Sequence, residues 1–246
     1  MHIDTATSSR SSKVVGELSE LWRYPVKSML GERCERLDID PRGVVGDRRY
    51  AVRNAEGKLG SGKNTRRFCK LDGLFGFRAR LDGAMPVIEF PNGDIRRGDD
   101  PDVHQALSAA FGQPVTLAAE GEVSHLDAAP LHLLSSASLA WLRTALPEAG
   151  VDARRFRPNF VIDAAGAEHV ERSWVGKRLR IGSEVVLRPI ENTVRCAMVT
   201  FAQSELPGAP QILRHLAGEA DAEFGIYAQV LVPGTVRRGD PVVLID

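Results

Sequence analysis

The residues with the most chemistry to offer are Arg195 and Cys196, set in Glu191-Asn192-Thr193-Val194-Arg195-Cys196-Ala197-Met198-Val199-Thr200. A cysteine attacks or binds metal as its thiolate, and the permanent charge of a neighbouring arginine favours that form. Free cysteine serves equally as a small buried hydrophobe, so the pair alone leaves both roles open. Arg154, Arg155 and Arg157 fall within four residues, just before Pro158. That proline stiffens the approach to an apolar stretch, so the guanidiniums either face a phosphate in fixed geometry or pair with surface carboxylates. Ser135 and Ser136 can cap a helix, and the first-turn amides behind them can hold an anion. His125 and His132 have no carboxylate or cysteine cluster around them, which favours core or surface roles over a metal pair. Gly60-Ser61-Gly62-Lys63 lacks the spacing of a phosphate-binding P-loop and has no clear helix after it. It reads as a mobile loop bordering a site, with Arg66 and Arg67 lining that site or solvated.

These groups need a scaffold, and most of the chain reads as strands. Glu184 to Ile190 is a β-rich run broken by Pro189, which puts Cys196 on or just after a strand end. Val14 to Tyr24 alternates apolar and polar residues and stops at Pro25, the pattern of a half-buried strand. Cys34–Ile39, Arg49–Arg53, Phe77–Leu81, Pro86–Phe90, Val115–Leu117 and Leu131–Leu134 read as further strands, with Lys27, Ser28 and Arg48 at strand edges. Asn92-Gly93 supplies hairpin-turn chemistry before Ile95. Asp100 and Pro101 open a helix whose Val103, Leu107, Ala110 and Phe111 share a face and which Gly112 closes. Further helices run through Leu139, Leu142 and Leu146 and from Gln211 to Ala217, and the end of the chain reads as two strands about Pro233-Gly234. Strands outnumber helices, so the expected fold class is mostly β with some helices, a barrel or sandwich with helical cover.

Composition narrows the function. With 43% hydrophobic and 26% charged residues among 246, the chain has the balance of an ordinary globular protein. Lys+Arg and Asp+Glu number 32 each, so no overall charge draws it to nucleic acid or an anionic membrane. Cys34, Cys69 and Cys196 are odd in number and far apart, which argues against a disulfide framework and a Cys-x-x-Cys metal site. A reducing cytoplasm is the expected location. The start, Met1 to Lys13, is polar, resembles neither a signal peptide nor an anchor and is expected to fray; no later run approaches the about 20 apolar residues of a spanning helix.

Tyr24-Pro25-Val26-Lys27-Ser28, Gly46-Asp47-Arg48, Leu134-Ser135-Ser136-Ala137-Ser138-Leu139, Phe156-Arg157-Pro158-Asn159, Arg195-Cys196 and the ending with Phe224-Gly225, Pro233-Gly234 and Gly239-Asp240-Pro241-Val242 together resemble MOSC-domain proteins. The likeness is to those with an extra N-terminal β domain, the group that includes the amidoxime-reducing components, and it runs from Val14 to Leu244. It implies a flexible start over 1–13, a smaller N-terminal MOSC-associated β domain over 14–118, and a cofactor-binding MOSC β-barrel over 119–246. It also implies a molybdenum cofactor, a metal held by a pterin dithiolene that ends in a phosphate. By motif position Cys196 would be the metal's thiolate ligand and the catalytic residue. Lys27, Ser28, Arg48 and Arg157 would contact phosphate or pterin, with Asn159, Arg195 and the Ser135-Ser136 turn nearby. The implied reaction is two-electron oxygen transfer that reduces N-hydroxylated small molecules such as hydroxylamines and amidoximes. With no cysteine cluster for an iron–sulfur centre, electrons would come from a separate donor protein of ferredoxin, flavodoxin or flavoprotein reductase type. Pyridoxal phosphate binding is admitted at the level of the family. The alternative is a non-catalytic carrier of the cofactor, or a sulfur-transfer protein with Cys196 as persulfide acceptor. Asp127 is a candidate proton donor, beside a role as a turn or cap residue.

Overall fold

The computed structural model describes residues 12–245. The expected frayed start therefore lies outside the described residues up to position 11, whereas Ser12 and Lys13 already belong to the strand Ser12–Arg23. Among the described residues the fold is α+β, with three α-helices, 41% strand and a closed seven-stranded β-barrel.

Around the barrel the strands follow the order Phe160–Asp163, Leu131–Ser135, Glu223–Val232, Val185–Val194, Arg178–Ile181, Pro241–Ile245 and Ser12–Arg23. The last closes on the first through Leu18 opposite Ile162 and Leu21 opposite Phe160. The strand over 12–23 thus pairs with barrel strands at both its edges, although the expected division groups residue 14 onward with the N-terminal domain. One pairing, Leu131–Ser135 with Phe160–Asp163, is parallel. Parallel neighbours need a crossover, and helix α2 (Ser136–Ala145) supplies it.

Regular alternation would send Leu18 and Leu21 to opposite faces. Both are fully buried, because a register shift between Leu18 and Glu20 turns the strand by one residue. With Leu133, Phe160, Ile181, Leu187, Ile226 and Val242 they fill the barrel. Helices α2 and α3 (Pro210–Glu219) cover a second cluster built on Tyr24, Leu142, Phe156, Leu216 and Phe224.

Residues 50–119, with Val26 and Met29, make the other half, whereas Leu37, Ile39 and Val44 pack in the barrel core. One sheet runs Val115–Ala119, Tyr50–Asn54, Leu59–Ser61, Phe68–Lys70, and a second runs Ile95–Arg97, Met85–Glu89, Arg78–Asp82. They enclose Val52, Leu71, Phe77, Ile88 and Leu107. Helix α1 (Val103–Phe111) buries Val103 and Leu107 and ends on Gly112 at φ 64°, as the apolar spacing and the glycine predict. Ala110, expected on the same face, is exposed.

Two expectations need correction. The Gly60–Lys63 stretch is not all loop: Leu59–Ser61 is a buried strand, parallel to Phe68–Lys70. The last segments do not pair across Pro233-Gly234. Gly234–Arg237 pairs with Arg36–Asp40 in a separate small sheet, and Glu223–Val232 pairs only with barrel strands. A Pro-Gly turn ends a strand without choosing its partner, and here both flanking strands find better-buried neighbours.

Candidate functional site

Where the two halves meet lies a cleft of about 450 Å³. Lys27, Ser28, Arg48, Arg157, Asn159, Arg195 and Cys196 all line it, although 169 residues of sequence separate Lys27 from Cys196 (196 minus 27). Ser135 and Ser136 do not. The Ser135 hydroxyl caps α2 by accepting from the Ser138 amide at 3.0 Å and donates to the buried Glu171 carboxylate, while Ser136 bonds Asp163. That is the capping role, at the opposite end of the strand from cleft-lining His132.

The Tyr24–Ser28 turn forms because Pro25 ends the barrel strand and the chain then docks on Tyr50, whose carbonyl accepts from Lys27 N at 2.8 Å. Ser28 (φ 64°), Arg48 (φ 50°) and Arg157 (φ 54°) all adopt the left-handed conformation that non-glycine residues avoid. Such strain survives only where the surroundings over-determine it, and it gathers at sites where side chains must be aimed. Arg48 is fixed by its amide on Tyr24 O at 2.7 Å and by its guanidinium on Asp47 Oδ2, whose other oxygen accepts from the Tyr24 amide at 2.7 Å. Tyr24 itself has the Arg157 and Arg48 guanidiniums 4.2 and 4.9 Å from its ring centre, and burial pushes its hydroxyl pKa up.

The electrostatics suit an anion. Arg157, pushed down to about 10 by burial and then by the like charge of Arg48, remains charged at neutral pH. It gives one N–H to Met29 O at 2.5 Å and leaves Nη2 buried without a partner. Arg195 donates to Phe156 O at 2.8 Å and leaves Nε in the same state. Burial pulls Lys27 down to about 8, partly offset by Asp127, whose carboxylate lies 2.6 Å from Nζ. Burial would raise the pKa of Asp127, but Lys27 outweighs it and holds that carboxyl at about 2. Asp127 is therefore ionised at neutral pH and has no proton to give; Lys27 is the member of the pair whose proton is within reach. Burial and Arg195 lower His132 well below the usual histidine value, so its ring faces the cleft neutral.

Cys196 is exposed on extended backbone, two residues beyond the strand Val185–Val194, where the sequence predicts it. Asn159 is committed to structure: its amide bonds Trp22 O and the His132 amide, tying two barrel strands together. The arginine run divides three ways. Arg154 pairs with Asp152 and Glu205, Arg155 is buried against Gly150, Phe201 and Pro207 carbonyls, and Arg157 alone presents an unmet N–H. His125 is likewise occupied, with Arg53 at Nε2 and Arg48 O at Nδ1.

The sequence reading missed several lining residues. Lys63 and Phe68 are among them: Lys63, with the expected Lys27 and Arg67, stands around the Phe68 ring, the three at 5.3, 5.4 and 5.3 Å from its centre. Of the expected loop arginines, Arg67 lines the cleft and Arg66 does not. Glu191, Asn192, Met198 and Tyr227 complete the side around Cys196. Proximity in sequence to Cys196 is the one signal that could have found three of these. Nothing local distinguishes Phe68 or Tyr227.

The comparisons agree with this construction. Residues 15–75 match the MOSC N-terminal beta barrel domain and residues 112–243 match the MOSC domain. Mitochondrial amidoxime-reducing component 1 of Mus musculus is 25% identical over 291 aligned positions, which cover 96% of this chain and 84% of that protein. The Homo sapiens protein of the same name is 26% identical, over 94% of this chain and 83% of its own length. The crystal structure of the YUAD protein from Bacillus subtilis shares the fold with a TM-score of 0.55 at 15% identity, over 96% of this chain and 98% of that one. With its MOSC-domain match covering more than half its length, the chain belongs to the MOSC domain family.

Proposed function

We propose that this protein binds a molybdenum cofactor in the cleft and reduces N-hydroxylated compounds there, with Cys196 as the thiolate ligand to the metal. The observation that carries the reading is the set of three unmet buried N–H groups, Arg67 Nε, Arg157 Nη2 and Arg195 Nε, in a cleft that also holds Lys27, Arg48 and Lys63. Unmet buried donors and converging cations suit a phosphate-bearing ligand. Among the described residues no group of three or more His, Cys, Asp or Glu could hold a metal by itself. A metal carried by its own dithiolene needs no such cluster, and a soft thiolate suits it as a further ligand. The residues present fit the group.

When bound, that cofactor supplies two-electron oxygen-atom transfer: the substrate N–O bond breaks, and two electrons and two protons yield the amine or amidine and water. The chain's own residues do the rest. Lys27, Ser28, Arg48 and Arg157 hold the phosphate end, and Arg195 orients its neighbour Cys196 by its anchor on Phe156 O. Lys27 Nζ carries a proton that can be released near neutral pH, and Asp127 keeps that proton in place. Electrons come from a separate donor protein.

The test is molybdenum content, by elemental mass spectrometry, of protein from a host that makes the cofactor, beside Cys196→Ser. Expected is near-stoichiometric metal that drops in the variant, with reductant-driven loss of an amidoxime only in the wild type. The exposed side chain makes the substitution nearly neutral for stability, within about 0.5 kcal/mol. Metal-free protein in both cases, despite cofactor supply, would overturn the reading. The exposure of Cys196 also suits a persulfide acceptor; a persulfide on metal-free protein would favour sulfur transfer.

A further inference from the structure

The cleft is lined by seven cations, Lys27, Arg48, Lys63, Arg67, Arg155, Arg157 and Arg195, and by two carboxylates, Asp127 and Glu191. Asp127 is taken by Lys27. Glu191 is exposed in the cleft, and its carboxylate has neither a hydrogen bond nor an ion pair with any described residue. Beside it, Asn192 spends its N–H on Glu223 Oε2 at 2.8 Å and leaves Oδ1 buried with no donor.

Consecutive residues of a regular strand face opposite sides. Both Glu191 and Asn192 nonetheless line the cleft, in a stretch flanked by register shifts between Pro189 and Glu191 and between Asn192 and Val194. Glu191 stands across the ladder from cleft-lining Tyr227 and Asn192 from Ile226 of the barrel core, on the strand that leads to Cys196. One wall of the cleft thus offers unmet donors and this wall offers unmet acceptors, one of them charged.

We propose that Glu191 and Asn192 select, among N-hydroxylated substrates, those with an amino group on the same carbon, the amidoxime class; this rests on the reductase reading. Reduction of an amidoxime consumes two electrons from the donor protein and two protons, breaks N–O and releases water. The amidine formed then takes one more proton in neutral water. A carboxylate beside the reacting carbon accepts the substrate's N–H and attracts the growing positive charge more strongly than it attracts the neutral substrate, which is the condition for acceleration. A hydroxamic acid is reduced to a neutral amide and gains nothing from it.

The test uses the full chain and two probes of one shape, benzamidinium and neutral benzamide, titrated calorimetrically against wild type and Glu191→Gln at low salt. Expected is about fivefold weaker benzamidinium binding in the variant, with benzamide unchanged. In cofactor-loaded protein the ratio of kcat/KM for benzamidoxime over benzohydroxamic acid should fall by a similar factor, at equal molybdenum content. Unchanged benzamidinium affinity in Glu191→Gln, or an equal loss for benzamide, would overturn the proposal. Loaded protein that reduces neither substrate would instead sink the reductase reading, and Glu191-dependent benzamidinium binding is measured without turnover.

Discussion

Lys27 Nζ and Asp127 Oδ1 lie 2.6 Å apart across 100 residues of sequence, with the lysine also donating to His125 O at 2.7 Å. The contact joins the turn after the first barrel strand to the segment that leads into the second. It sets both the charge and the position of the most deeply buried ammonium in the cleft.

That pairing makes anion binding depend on pH. Lys27 is charged below about 8 and loses its proton above, so sulfate affinity of cofactor-free protein should fall as pH rises through that value. Burial lowers the lysine and Asp127 raises it. In Asp127→Asn the raising partner is gone, and the fall should move to lower pH. Sulfate, which does not titrate in this range, is the probe; calorimetric titration from pH 6 to 9 that finds the same midpoint in both proteins would refute the coupling.

Gly62 is pressed against the segment behind Cys196. A Cβ built there would clash with the Phe201 ring and lie 2.8 Å from Met198 Sδ, so Gly62→Ala must displace the Phe201 and Met198 side chains behind Cys196. The expected cost is about 1–3 kcal/mol in urea unfolding, the range for overpacking, together with reduced molybdenum retention. A variant as stable and as metal-rich as wild type would show that the Ser61–Lys63 approach does not shape the cleft.

Ser135 separates capping from ligand binding. Ser135→Ala removes the bond to the Ser138 amide and one hydroxyl on the buried Glu171 carboxylate. Stability should drop by about 1–2 kcal/mol, with molybdenum content unchanged per folded protein. Loss of cofactor at full stability would return Ser135 to the site.

Among the described residues no helix is long and apolar enough to cross a bilayer, which leaves strands aside.

Strand content, the Val103–Phe111 helix with its glycine stop, and Cys196 just past a strand end were all legible in the sequence, because period, turn residues and breakers act over a few positions. The six motif fragments carried the family likeness and the seven expected site residues that line the cleft, since those side chains sit in short runs whose text can be matched. What tertiary structure alone decided is long-range. Leu18 and Leu21 share the core only because of a bulge, and the two sides of Pro233-Gly234 find different partners. Three cations converge on Phe68, Lys63 and Arg67 from the loop before it and Lys27 from a distant turn, and of three neighbouring arginines only Arg157 keeps an N–H free for the cleft. Pairing register and charge neutralisation depend on which distant groups arrive, and no local pattern encodes that arrival.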